Sequence, residues 1–195
     1  MKKIILLAAV VLQSILVLAQ TGPKGLNLND KAPDFTAKDQ NGKSISLKNE
    51  LKNGSVVLVF YRGQWCPFCN RQLKQMEDSL PQIKAKGATV LTITPEVQEN
   101  ISKTIAKTKT SNSILHDEGL QIMKSYDVAF KVDDKTIENY KKYGIDFNVA
   151  NGESNGANLP VPAVYVINKE GRIVYKYFDM DYRKRSSVKE ILEHL

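Results

Sequence analysis

Hydrophobic and polar residues alternate along this chain in two rhythms, one of strands and one of helices. Val56 to Tyr61 is an unbroken apolar run with the length and composition of a buried strand. Beyond the turn Arg62-Gly63-Gln64, Leu73, Met76, Leu80 and Ile83 recur at three- and four-residue spacing, which predicts one helix face. That helix is expected to end near Gly87, with a kink at Pro81. Thr89 to Thr94 predicts a second buried strand, Glu96 to Lys107 a helix, Ile114-Leu115 a short extended piece and Gly119 to Tyr126 a short helix. Asp133 to Tyr143 predicts a further helix, and the Asn- and Gly-rich Asn148 to Asn158 a loop. Ala163 to Ile167 and Arg172 to Phe178, joined by the turn Asn168 to Gly171, form a hairpin that closes the sheet. A last helix starts at about Ser187, capped by Ser186 or Ser187. Ahead of these, Asp34 to Lys38 and Ser44 to Leu47 flank the turn Asp39-Gln40-Asn41-Gly42 as an N-terminal hairpin. The order implies an α/β domain with a central mixed β-sheet flanked by helices.

The first nineteen residues break this pattern. Lys2 and Lys3 precede an apolar run, Ile4 to Leu18, interrupted by Gln13 and Ser14, and Val17-Leu18-Ala19 has the small-residue pattern of a cleavage site. The apolar stretches are short for a spanning helix. Residues 1–19 therefore read as a signal peptide and 20–195 as a single domain, exported to a periplasm, with no stable membrane anchor. Twenty-eight Lys and Arg against 21 Asp and Glu give a net charge of +7, but the positive residues are spread and interleaved with acids. The densest cluster, Arg183-Lys184-Arg185, is too short for a nucleic-acid footprint, so no nucleic-acid partner is expected.

Candidate chemistry gathers at Cys66-Pro67-Phe68-Cys69, where the central strand hands over to a helix. The chain has no other cysteine. Free N–H groups and the positive end of the helix dipole favour a thiolate there, and Pro67 suits the first helical turn. Two Cys and two His without ligand spacing speak against zinc, and Asn70 stands where an attached haem would need His. A static disulfide would close a very short loop and stabilise little. The residues thus point to a dithiol that closes to a Cys66–Cys69 disulfide and reopens. Cys66, at the helix start and nearer solvent, is the expected attacking sulfur, and Cys69 the buried resolving one. Arg62 is a candidate for lowering a thiolate pKa through its charge. Trp65 reads as a shield beside the pair, and His116 as a surface residue.

Phe60 to Asn70, reading FYRGQWCPFCN, resembles the Trp-Cys-Pro-aromatic-Cys signature of AhpC/TSA peroxiredoxin-like proteins in the thioredoxin-like superfamily. Leu115-His116-Asp117-Glu118-Gly119 followed by Tyr126, Leu159 to Ala163 leading to Gly171, and the tail Asp179 to Arg185 are similar to other segments of that family. The resemblance implies a thioredoxin-like fold and a thiol oxidoreductase without a cofactor. Its implied partners are a peroxide or a protein disulfide as substrate and a thiol electron donor. Laid on the peroxiredoxin pattern, Cys69 takes the peroxidatic position, Cys66 that of the family's Thr and Arg62 that of its Pro, while the peroxide-holding Arg falls near Pro162. Laid on the thioredoxin pattern, Cys66 attacks, Cys69 resolves, and Pro162 follows a cis bond facing the disulfide. The resemblance therefore leaves open whether peroxide or a protein disulfide is reduced, and a binding module with a static disulfide stands as a third reading.

Overall fold

The structure is a computed structural model that describes residues 22–195. The signal-peptide reading of residues 1–19 lies outside the described residues. A two-stranded ribbon of β1 (Thr36–Lys38) and β2 (Ser44–Ser46) opens the fold, followed by one turn of helix, α1 (Leu47–Glu50). Asp39 shapes the ribbon's turn by accepting the Asn41 and Lys43 N–H groups at 2.8 and 3.0 Å. The central strand β3 (Ser55–Phe60) leads into α2 (Pro67–Asp78), α3 (Leu80–Ala85) and β4 (Ala88–Thr94). Then come α4 (Gln98–Thr108), β5 (Ser113–His116), α5 (Gln121–Ser125) and β6 (Ala129–Lys131). The remainder is α6 (Asp134–Lys142), α7 (Phe147–Asn151), β7 (Asn158–Pro160), β8 (Ala163–Ile167), β9 (Ile173–Phe178) and α8 (Val188–Glu193).

Five strands form the main sheet in the order β5-β4-β3-β8-β9. β4 runs parallel to β3 and β5, whereas β8 runs antiparallel to β3 and β9. The sheet is covered on both faces, which explains the unbroken apolar run of β3. Val56, Leu58 and Phe60 pack into one core with Tyr126 and Tyr165, while Val57, Val59 and Tyr61 pack into the other with Leu73, Met76 and Ile83. Each such fully buried side chain contributes about 1.5–3 kcal/mol. Among the described residues, no helix is long and apolar enough to cross a membrane.

Three local expectations are corrected. The helix after the cysteines breaks at Ser79, before Pro81, which lies in the first turn of α3. Continuing α2 through Pro81 would drive its ring into the carbonyl of residue 77. Asn148 to Asn158 is more than loop: it holds most of α7 and begins β7, which pairs with β6. Asp146 starts α7 by accepting the Asn148 N–H at 2.9 Å, and the buried Phe147 anchors it against Trp65 and Tyr140. The Val161–Pro162 bond is trans, since no described peptide bond is cis. The chain crosses from β7 to β8 in extended form, with the Val161 N–H donating to the Val128 carbonyl at 2.8 Å and the Pro162 carbonyl accepting from Asp179 at 3.4 Å. The trans form agrees with the intrinsic preference of about 0.5–1 kcal/mol.

Candidate active site

Cys66 is the N-cap of α2 and Pro67 its first residue, as the strand-to-helix reading requires. The Cys66 N–H donates to the Gly63 carbonyl at 3.0 Å, which closes the turn between strand and helix. The Cys69 N–H donates to Cys66 Sγ at 3.3 Å, so a sulfur fills the role usually taken by a serine or aspartate oxygen. Both cysteines are free thiols: this is the dithiol form. Exposure does not separate them, contrary to expectation, because Cys66 is 1% exposed and Cys69 0%. What covers them is the segment after β9, where Tyr182 meets Phe68 edge-on at 6.0 Å.

That segment also carries the group the sequence reading left out of the site. Arg185 Nη2 stands 3.2 Å from Cys69 Sγ and 3.9 Å from Cys66 Sγ. Its other terminal nitrogen, Nη1, donates to the carbonyls of Tyr182 and Lys184, which fixes the fork. Two aspartates shape the approach. Asp179 Oδ1 accepts the Asp181 N–H at 2.8 Å, and Asp181 Oδ1 accepts the Arg183 N–H at 3.1 Å. The only signals in the sequence were the family-like tail and the basic triplet, neither of which says that its third member turns inward.

Arg62 lies beside the cysteine turn and is buried, with 5% of its surface exposed. Its Nη2 donates to Tyr140 Oη at 3.0 Å, and Nε and Nη1 have no partner. The guanidinium lies among the rings of Tyr182, Trp65 and Tyr140, at 4.4, 4.9 and 5.8 Å from their centres. Among the described residues, no carboxylate hydrogen-bonds Arg62 or Arg185. Trp65 packs edge-on against Tyr140 and Phe147, tying α6 and α7 to the cysteine turn. Pro162 is buried one residue before Ala163, the register partner of Phe60, and so shares the sheet end from which the cysteine turn leaves. His116 stays outside the pair, with Nδ1 2.8 Å from the Glu96 carbonyl.

The two sulfurs titrate as one coupled pair. The hydrogen bond they share, and then burial, push the Cys66 thiol far up. Burial also opposes a thiolate at Cys69. The hydrogen bond from Cys66, the Arg185 charge and the Arg62 backbone N–H outweigh it and bring Cys69 down to about 6. The geometry stands behind that direction, since Arg185 lies nearer Cys69. At neutral pH the pair therefore holds one proton, on Cys66, and one negative charge, on Cys69.

Thioredoxin-like thiol oxidoreductases are the class that this sheet order and this buried dithiol define, and the chain is one of them. Within that class it belongs to the AhpC/TSA family, whose profile matches residues 28–176. Peroxiredoxin Q, chloroplastic, of Arabidopsis thaliana is 31% identical over 170 residues, spanning 87% of this chain and 67% of that protein. The thiol-disulfide oxidoreductase ResA of Bacillus thuringiensis is 27% identical over 155 residues, spanning 79% of this chain and 71% of that protein. Among solved structures, peroxidoxin BcpB of Mycobacterium tuberculosis superposes with a TM-score of 0.66 at 18% identity, covering 87% of this chain and 96% of the other. That last likeness concerns the fold alone.

Proposed function

We propose that the chain is an exported thiol peroxidase in which the Cys69 thiolate attacks a small hydroperoxide and Cys66 resolves the product. The observation that carries this reading is the 3.2 Å contact between Cys69 Sγ and Arg185 Nη2 inside a closed site. A guanidinium there both holds the thiolate and faces the oxygen on which charge develops as the O–O bond breaks. Attack gives Cys69–SOH and an alkoxide or hydroxide. The Cys66 thiol then condenses with the sulfenic acid, releasing water and forming the disulfide, which an external dithiol reduces. Both sulfurs are covered, so a small peroxide enters where a protein disulfide cannot bring its own sulfur into line. The trans bond at Pro162 also removes the feature that favoured exchange with protein disulfides. The intact dithiol and its charge geometry count against a static binding module.

The deciding experiment treats the reduced protein and each single Cys→Ser variant with one equivalent of peroxide and traps sulfenic acid. The reading expects consumption of peroxide far faster than by free cysteine, with sulfenic acid accumulating in Cys66→Ser. Sulfenic acid in Cys69→Ser alone would reverse the roles, and slow consumption with rapid disulfide exchange would favour the ResA-like alternative. Export rests on Lys2-Lys3, the apolar run and Val17-Leu18-Ala19. N-terminal sequencing of envelope protein should find a chain starting at Gln20.

A further inference from the structure

Beneath the cysteine turn lies a carboxyl that the proposed cycle has not used. Glu96 is 0% exposed. Its Oε2 accepts the Gln64 N–H at 2.7 Å, while Oε1 has no partner among the described residues. Oε1 and the equally unpartnered Trp65 indole nitrogen converge on Gly63, where a Cβ would stand 2.8 Å from the one and closer still to the other. The segment bearing Glu96 is held on all sides. The Pro95 carbonyl accepts from Asn155 Nδ2 at 2.8 Å, the Glu96 carbonyl meets His116 Nδ1, and the Val97 N–H donates to the Ala150 carbonyl at 3.0 Å. A carboxyl with one oxygen fixed and one free is thus locked against the turn that leads to Cys66.

Its charged and titratable neighbours come from every side: Cys69 on α2, Tyr61 just after β3, Lys103 and Lys107 on α4, and His116 on β5. Both lysines are engaged elsewhere, Lys103 with the Glu99 carboxylate at 2.7 Å and Lys107 with the Gln64 carbonyl at 3.1 Å. Burial raises the Glu96 carboxyl to about 8, the Gln64 N–H opposes that rise, and the negative charge of Cys69 adds to it. At neutral pH the site therefore holds a protonated acid and a thiolate together.

We propose that Glu96 is the proton store of the dithiol, emptied when the disulfide closes and refilled when it is reduced. The inference rests on the dithiol–disulfide cycle above but not on which oxidant drives it. The reduced pair holds a single proton, so closing the disulfide with a hydroperoxide yields an alcohol and a hydroxide. The hydroxide leaves as water by taking the proton of Glu96. Closing the disulfide also removes the Cys69 charge, which adds to burial in holding that proton. In the return half, a dithiol donor gives two electrons and two protons, one to Cys66 and one to Glu96. An acid serving only to hold the turn through Oε2 would keep its proton throughout.

Infrared difference spectra between the dithiol form, made with dithiothreitol, and the disulfide form, made with diamide, read this directly. Diamide closes the disulfide whether or not the protein reduces peroxide, so failure of the peroxidase reading leaves this result intact. At neutral pH, oxidation should abolish a protonated-carboxyl carbonyl band, and Glu96→Gln should lack that change while closing the same disulfide. Should Glu96→Gln not fold, the wild-type band change must vanish at a pH well above 8, where the store is already empty. A spectrum without the band change at neutral pH, or the same change in Glu96→Gln, would overturn the proposal.

Discussion

Arg185 Nη2 lies 3.2 Å from Cys69 Sγ, although 116 residues separate them in the chain. The guanidinium and the sulfur meet because the segment after β9 folds back over the start of α2, and a pair of aspartate turns directs it there. The dithiol is thus assembled from two distant stretches of sequence, only one of which carries the recognisable motif.

Replacing Arg185 by Ala should raise the pH at which Cys69 ionises by about 1 to 3, the usual effect of losing an opposite charge at contact distance. Thiolate absorbance against pH, paired with the rate of alkylation, measures it. An unchanged titration would mean that the Cys66 hydrogen bond and the Arg62 backbone suffice alone.

Arg62→Met separates stability from reactivity. The buried guanidinium gains about 2 kcal/mol or more from the rings around it, while each unpartnered N–H costs about 1–3 kcal/mol. The midpoint of thermal unfolding should therefore hold or rise, while alkylation of the thiolate slows. A fall of several degrees with unaltered reactivity would make Arg62 a purely structural residue.

Stability should follow pH in three stretches in the reduced protein. Glu96 moves from 4.5 to about 8 on folding, so the folded state binds the extra proton and stability declines as pH rises between those values. Cys69 moves from 9.0 to about 6, which adds stability as pH rises from 6 to 9. Stability should fall from pH 4.5 to 6, stay nearly level to 8 and rise towards 9, with slopes of at most about 1.4 kcal/mol per pH unit. The disulfide form lacks the thiol contribution and should only decline until Glu96 has ionised. Urea midpoints of both forms across this range test the difference.

Gly63→Ala should destabilise the protein by about 1–3 kcal/mol through overpacking. The new methyl would press on Trp65 Nε1 and Glu96 Oε1, both buried. Trp65 fluorescence should change with it, whereas the same substitution at Gly22, with nothing within 4 Å, should leave both readings alone.

The frame of the molecule was legible because β3 and β4 are apolar on both faces and the helix after Cys66 repeats on one. The N-terminal hairpin, the closing hairpin of β8 and β9, and the Ser187 cap of α8 also carry local signals, and the structure has all of them. Residues Asn148 to Asn158 misled because Asn and Gly favour turns, while Phe147 and its contact with Trp65 override that preference from outside the segment. Cys66, Cys69 and Arg62 could be found from one contiguous motif. Arg185 could not, since its position follows from tertiary folding of an irregular segment. Glu96 was hidden for another reason: at the end of an apolar strand it reads as the solvated first turn of a helix, and only its burial in the fold makes it unusual.

The distance along the chain between Cys69 and Arg185 also sets an order in time. Ribosomes add about 5–20 residues per second, so the cysteines emerge roughly ten seconds before the guanidinium that helps to hold the Cys69 thiolate. In the unfolded chain Cys69 is an ordinary thiol near 9, mostly protonated and slow towards oxidants. Reactivity arrives with the finished fold, and a half-made chain keeps its sulfurs in reserve.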